Sequence, residues 1–115
     1  MFALMSIAVF GIVGLGIRHV MNTAPFLSPA GALLSLNVAG SLVAGYLGGL
    51  KSDHVLVTAG IVGFCGCLTT FSGYALINVK WFEQGEFFKI GLHFFLNNAL
   101  CLSMCYVGWR IASKS

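Results

Sequence analysis

Four apolar stretches, each long enough to cross a bilayer, fill nearly the whole of this 115-residue sequence. They run from about Ala3 to Val20, Pro29 to Gly49, Val55 to Val79 and Phe87 to Ile111. Each holds about 17–25 residues, and a helix of that length spans the roughly 30 Å hydrocarbon core of a bilayer. Only 8% of the residues are charged, against about 25% in soluble domains. The sequence therefore predicts a multi-pass membrane protein and excludes a soluble enzyme.

The four spans are predicted to be α-helices in one domain covering residues 1–115. Four strands are too few to close a barrel, and lone strands leave their backbone groups unpaired in lipid. Ser28 followed by Pro29 is typical of a helix N-cap with proline at the first helical position. We expect no secretory leader, because the N-terminus lacks a basic region and a cleavage site. We also expect a cell-membrane location, contact with lipid and no nucleic-acid partner.

Basic residues are divided evenly between the two sides of this predicted bundle. One side would carry Lys51, Arg110 and Lys114, and the other Arg18, Lys80 and Lys89. The positive-inside rule orients a chain by the difference between the two sides, which here is zero. Either the chain inserts in both orientations, so that two copies can pair as an antiparallel dimer, or six charges are too few to set a preference.

None of the predicted spans contains Asp or Glu. Proton-coupled transporters and intramembrane acid–base enzymes need an ionisable carboxylate at depth. This argues against an enzyme and against a small multidrug exporter, which depends on a glutamate in its first helix. The polar residues at depth are neutral instead. Asn37 either joins helices or binds a crossing species, while His93, Asn97 and Cys101 recur every four residues and share one helix face.

The third span contains the segment Gly63-Phe-Cys-Gly-Cys-Leu-Thr-Thr-Phe-Ser-Gly-Tyr74. β-Branched and hydroxyl residues beside glycine weaken a helix, so we expect a break in the middle of the membrane. Freed backbone there must be buried in protein or line a cavity. Freed carbonyl oxygens could bind a cation, whereas hydroxyl and N–H groups could donate hydrogen bonds to an anion. The edges of the Phe71 and Tyr74 rings also favour an anion. A kinked helix packed through its aromatic rings explains the same residues.

At these residues the sequence resembles the Fluc (CrcB) family of fluoride channels over essentially its whole length. Three elements carry the resemblance in order: Gly11-Ile-Val-Gly-Leu-Gly-Ile-Arg18, Asn37-Val-Ala-Gly-Ser41, and the Gly63–Ser72 part of the third span. The resemblance implies an antiparallel dual-topology dimer with two pores that exports cytoplasmic fluoride passively. It also implies a central structural sodium ion, held by the backbone carbonyls of Gly66 and Thr69.

The resemblance assigns the family's pore asparagine to Asn37 and its two pore phenylalanines to Phe71 and Tyr74. The whole predicted fluoride pathway comprises Asn37, Ser41, Thr70, Phe71, Ser72, Tyr74, His93 and Asn97. Arg18, near the end of the first span, either attracts fluoride into a vestibule or extends to lipid head groups.

The sequence departs from the family's pattern at five positions. Tyr74 replaces the second phenylalanine, Gly73 and Ile77 replace the usual Thr and Glu, and His93 and Asn97 replace Tyr and Ser. The family includes heterodimers in which each subunit loses part of one pore. We predict a homodimer, since Tyr74 keeps an aromatic edge, with a paralogous partner as the main alternative. Two other hypotheses are a subunit that serves assembly alone and an exchanger that uses His93 as its titratable group.

Overall fold

The computed structural model describes residues 1–69 and 71–114 of the chain. Its helices are α1 (Phe2–Thr23), α2 (Pro29–Gly49), α3 (Val55–Thr58), a π-helical segment (Ala59–Cys65), α4 (Gly66–Leu68), α5 (Ser72–Glu83) and α6 (Phe87–Lys114). All regular secondary structure within these ranges is helical. Four spans are long and apolar enough to cross a membrane, the third running from Val55 to Glu83. The second span has the predicted bounds, and the other three extend a few residues further.

The ends of the helices follow local sequence signals. Ser28 is extended (φ −70°, ψ 157°), and its hydroxyl oxygen accepts a 3.0 Å hydrogen bond from the backbone N–H of Gly31 in the first turn of α2. This cap satisfies one of the amides that a helix start leaves unpaired. After α5, Gly85 adopts a φ of 73°, and the Glu86 amide donates to the Trp81 carbonyl at 2.8 Å. Glycine permits this tight reversal into α6.

Two pairs of spans pack backbone against backbone: α2 along α6, and α1 along the π-helical segment and α4. A Cβ atom added to Gly108 of α6 would meet the Leu42 carbonyl oxygen and lie 2.7 Å from the Tyr46 amide nitrogen. A Cβ atom added to Gly63 would likewise meet the carbonyl oxygen of Ile7 in α1. Small residues therefore allow the close helix contacts that stabilise membrane bundles.

The third span is not one continuous helix. Helix α4 ends at Leu68, Thr69 is extended (φ −90°, ψ 157°), and α5 begins at Ser72. The sequence predicts an interruption at this motif, although not the π-helical segment that precedes it. The last carbonyls of α4 lose the amides that a continued helix would supply. The interruption therefore places polar backbone beside the side chains described next.

Large apolar side chains cover much of the surface. Val9, Ile12 and Leu102 are all more than half exposed, and Phe88 is 81% exposed. Among the described residues, the buried apolar ones are few: Ala32, Leu33, Leu36, Ala59, Cys65, Leu68 and Ala112. Apolar patches of this extent are unfavourable in water, whereas lipid tails cover them without cost. The surface is that of a chain embedded in a bilayer.

Candidate functional site

A cleft of about 280 Å³ lies where α2, α5 and α6 meet the interruption of the third span. Its lining residues are Asn37, Ser41, Thr69, Phe71, Tyr74, Asn97, Asn98 and Cys101. Five of them belong to the predicted fluoride pathway, and a sixth, Thr69, was predicted to bind sodium. The structure thus brings together polar and aromatic residues that lie up to 64 positions apart in the sequence.

Two asparagine side chains join α2 to α6 inside this cleft. Asn37 Nδ2 donates a 3.1 Å hydrogen bond to Asn97 Oδ1, and Asn97 Nδ2 donates a 3.0 Å bond to the backbone oxygen of His93. Asn97 is 9% exposed, so this chain of bonds lies largely inside the protein. It fixes the orientation of the Asn37 amide. The sequence predicts both asparagines as pathway residues, but not the bond between them.

A row of aromatic rings runs beside the amides. The centroids of Phe71 and Tyr74 are 5.5 Å apart, with ring planes inclined at 45°. Tyr74 stacks on His93 at 5.3 Å, and Trp81 approaches His93 edge-on at 5.3 Å. Ring edges carry partial positive charge, so these neutral rings can attract an anion weakly through their edges. Phe71 is 78% exposed in the single chain, which leaves one side of its ring open.

Trp81 is a site residue that the sequence reasoning missed. It lies seven residues after Tyr74, which on a helix is two turns along the same face. The prediction ended the third span at Val79, whereas α5 continues to Glu83. The spacing from Tyr74 would have found Trp81 if the helix had been extended.

The other predicted pathway residues, and the predicted vestibule residue, are placed differently. His93 is buried and its ring stacks on Tyr74, but it is not among the residues that line the cleft. Thr70 lies outside the described residues. Ser72 is exposed at the start of α5 and is not among the residues that line the cleft. Arg18 is half-buried on α1 and lines neither this cleft nor the next. Its vestibule role stays a prediction.

A second cleft, of about 420 Å³, lies at the start of α2 and the end of α5. It is lined by Ser28, Pro29, Ala30, Ile77, Lys80, Trp81, Gln84 and Lys89. Lys80 and Lys89 therefore bring positive charge close to the aromatic row. Lys89 also approaches Glu86 at 3.9 Å on the exposed surface, where such a pair contributes little to stability.

The residues predicted to hold sodium line a third cleft, of about 240 Å³. Gly66 is exposed there and Thr69 is half-buried. The Thr69 amide and hydroxyl both donate to the Cys65 carbonyl, each at 3.0 Å. Because α4 ends at this point, its last carbonyl oxygens lose their helical partners, and such neutral, hard oxygen donors suit Na⁺. These residues therefore offer the right type of ligand for Na⁺. Two carbonyls do not complete a coordination shell, so other groups would have to supply the remaining ligands.

A model of the family described as CrcB-like protein, Camphor Resistance (CrcB), matches residues 5–109. The chain belongs to the CrcB family. Curated relatives carry the name fluoride-specific ion channel FluC. The one from Photobacterium profundum is 40% identical over 89 residues, which cover 71% of this chain and 68% of the relative. The one from Methanococcus vannielii is 33% identical over 117 residues, which cover 94% and 93%.

Membership of the CrcB family confirms the resemblance that the three motifs indicated. Both of these relatives are named as ion channels. Together with the four apolar helices, this makes the chain a multi-pass membrane protein.

Proposed function

We propose that this chain is a fluoride-selective channel through which fluoride leaves the cytoplasm passively. The observation that carries the proposal is the first cleft, where the Asn37 and Asn97 amides meet the Phe71 and Tyr74 rings. None of the described lining residues is acidic, so no carboxylate repels an anion there. The relatives named fluoride-specific ion channels support the choice of ion.

Selectivity follows from the kind of donors in the pathway. Fluoride is small and strongly hydrated, so a pore must replace its water with donors at close range and still release it. The Asn37 amide and the Ser41 hydroxyl supply conventional donors, and the edges of Phe71 and Tyr74 supply weaker ones. Near the interruption we add the hydroxyls of Thr70 and Ser72, and on α6 the side chains of His93 and Asn97. A narrow passage of this kind excludes chloride by size.

We further propose an antiparallel, dual-topology homodimer with two pores. Phe71 lines the cleft and is nevertheless 78% exposed, so the pathway needs a further protein wall, and a second copy supplies it. The equal count of basic residues on the two sides supports insertion in both orientations. Between the copies, the carbonyls of Gly66 and Thr69 would hold a structural sodium ion, whose charge would secure the interrupted segments.

Fluoride efflux from liposomes, followed with an ion-selective electrode, tests the pathway. We expect Asn37→Asp to slow efflux about ten- to a hundredfold. The change removes a donor to the ion, and hydrogen bonds to charged groups contribute about 1.5–3 kcal/mol. Phe71→Ile should also suppress efflux, because it replaces a ring edge with an aliphatic surface. Phe88→Ile is the matched control, since Phe88 is 81% exposed on α6 and does not line the cleft.

Two outcomes would contradict the proposal. One is the absence of fluoride efflux from the purified protein, alone or with a paralogous subunit. The other is efflux that Asn37→Asp and Phe71→Ile leave unchanged while they lower stability, which would favour a subunit that serves assembly alone. Crosslinking followed by mass measurement establishes whether the active dimer contains one sequence or two.

A further inference from the structure

The ring of His93 lies between a side chain of the first cleft and a side chain of the second. Tyr74 lines the first cleft, Trp81 lines the second, and the His93 ring lies 5.3 Å from each of their ring centroids. His93 itself lines neither cleft, but its ring lies in contact with one residue of each. Helix α6 carries it, with Asn97 one turn further on.

Both ring nitrogens of His93 are buried and lack a hydrogen-bond partner at suitable geometry among the described residues, although the backbone of Ala30 lies beside the ring. The residue is 5% exposed. Buried polar atoms are normally paired, and leaving them unpaired costs free energy. The Ala30 backbone can serve at most one of the two nitrogens, so at least one buried nitrogen is left without a partner among the described residues, which indicates a position for a ligand.

The groups that face this ring are neutral or basic. Helix α5 contributes Tyr74, Trp81 and, at the second cleft, Lys80, while α2 contributes Ala30. On α6 itself, Lys89 lies one turn before His93. The three acidic residues of the chain, Asp53, Glu83 and Glu86, are all exposed. An imidazolium at this position would thus have no carboxylate beside it as counter-ion.

We propose that His93 is a proton-linked anion site, at which fluoride and a proton bind together. The imidazolium offers two N–H donors where the neutral ring offers one, and the fluoride ion supplies the missing counter-charge. A proton alone would leave a buried charge uncompensated. The ring takes the proton from the water on one side of the membrane and returns it to the same side as the ion leaves. No proton crosses with the ion, so flux depends on pH without needing a proton gradient. The inference rests on the proposed fluoride conduction.

The test is fluoride efflux at equal pH on both sides of the membrane, over the range of about pH 5 to 8 in which histidine titrates. Rates are corrected with protein-free liposomes at each pH, because hydrogen fluoride crosses lipid. We expect the unmodified protein to conduct faster toward the acidic end, by at most about tenfold per pH unit, since one proton is involved. His93→Gln, which keeps an N–H donor but does not titrate, should give a flat profile.

His19→Gln is the matched control, because His19 is exposed on α1 and its loss should leave the pH dependence intact. If His93→Gln does not fold, His93→Tyr serves as the second non-titrating variant. Binding can also be measured without flux, by following the pH of a weakly buffered solution of the protein in detergent. Addition of sodium fluoride should cause the protein to take up protons, and addition of sodium chloride should not.

A pH-independent wild-type efflux would overturn the proton-linked site and leave the channel proposal standing. A pH dependence that persists in both His93 variants would also overturn it. An absence of efflux at every pH would contradict both the channel and this inference.

Discussion

The packing of α2 against α6 gives the sharpest stability prediction, through Gly108→Ala. The added Cβ would meet the Leu42 carbonyl oxygen and lie 2.7 Å from the Tyr46 amide nitrogen, whereas ordinary contact begins at 3.4 Å. Both neighbours are backbone atoms, which cannot rotate away as the end of a side chain can. The two helices must therefore separate locally by about 0.7 Å or more.

Such overpacking costs about 1–3 kcal/mol, while alanine in place of glycine favours a helix by about 0.8–1.0 kcal/mol. Gly91→Ala separates these effects, because Gly91 lies on the same helix and its added Cβ has no neighbour within 4 Å. Gly91→Ala should gain helix propensity alone. The free energy of unfolding of Gly108→Ala should then lie about 1–3 kcal/mol below that of Gly91→Ala.

The same separation should affect the site. The Asn37–Asn97 hydrogen bond spans α2 and α6 at 3.1 Å, and hydrogen bonds weaken steeply when stretched. Gly108→Ala should therefore also slow fluoride efflux relative to Gly91→Ala. Unfolding in mixed micelles, followed by helicity as denaturing detergent is added, measures the stability difference. Equal stability of the two variants would refute the reasoning that backbone contact at Gly108 holds these helices together.

Two further predictions concern the charges around the pathway. Lys80→Gln should slow fluoride efflux at low ionic strength and have little effect at high salt, since the screening length falls from about 30 Å at 0.01 M to about 10 Å at 0.1 M. Lys114→Gln, at the end of α6, is the control. An equal effect of the two substitutions would refute the attraction of fluoride by the second cleft. Replacing Na⁺ with N-methylglucamine should lower the melting temperature of the dimer in detergent, because an ion that binds the folded state stabilises it. A melting temperature that does not depend on Na⁺ would argue against the central sodium site.

The number and type of the spans, and both ends of the second, could be predicted because hydropathy and capping act locally along the chain. The second span has the predicted bounds, and Ser28 caps it as its sequence indicates. The interruption at Thr69 follows from the same local reasoning, since glycine, hydroxyl and β-branched residues all weaken a helix there.

The contacts between helices could not be predicted, because they depend on how each helix is rotated. The bond between Asn37 and Asn97 joins residues 60 positions apart, on two helices that also approach each other closely at Gly45 and Gly108. The π-helical segment, against which α1 packs directly, was not predicted either. The glycines of this segment do not by themselves distinguish a π-helical turn from an α-helical one.

The most direct test of the central claim compares two halides in one preparation. Liposomes that contain the purified protein and equal concentrations of fluoride and chloride are opened to potassium with an ionophore, and electrodes follow both ions. The account predicts passive fluoride efflux with chloride retained, and loss of that efflux in Asn37→Asp. Parallel release of both ions, or retention of both, would contradict a fluoride pathway built from amides and ring edges.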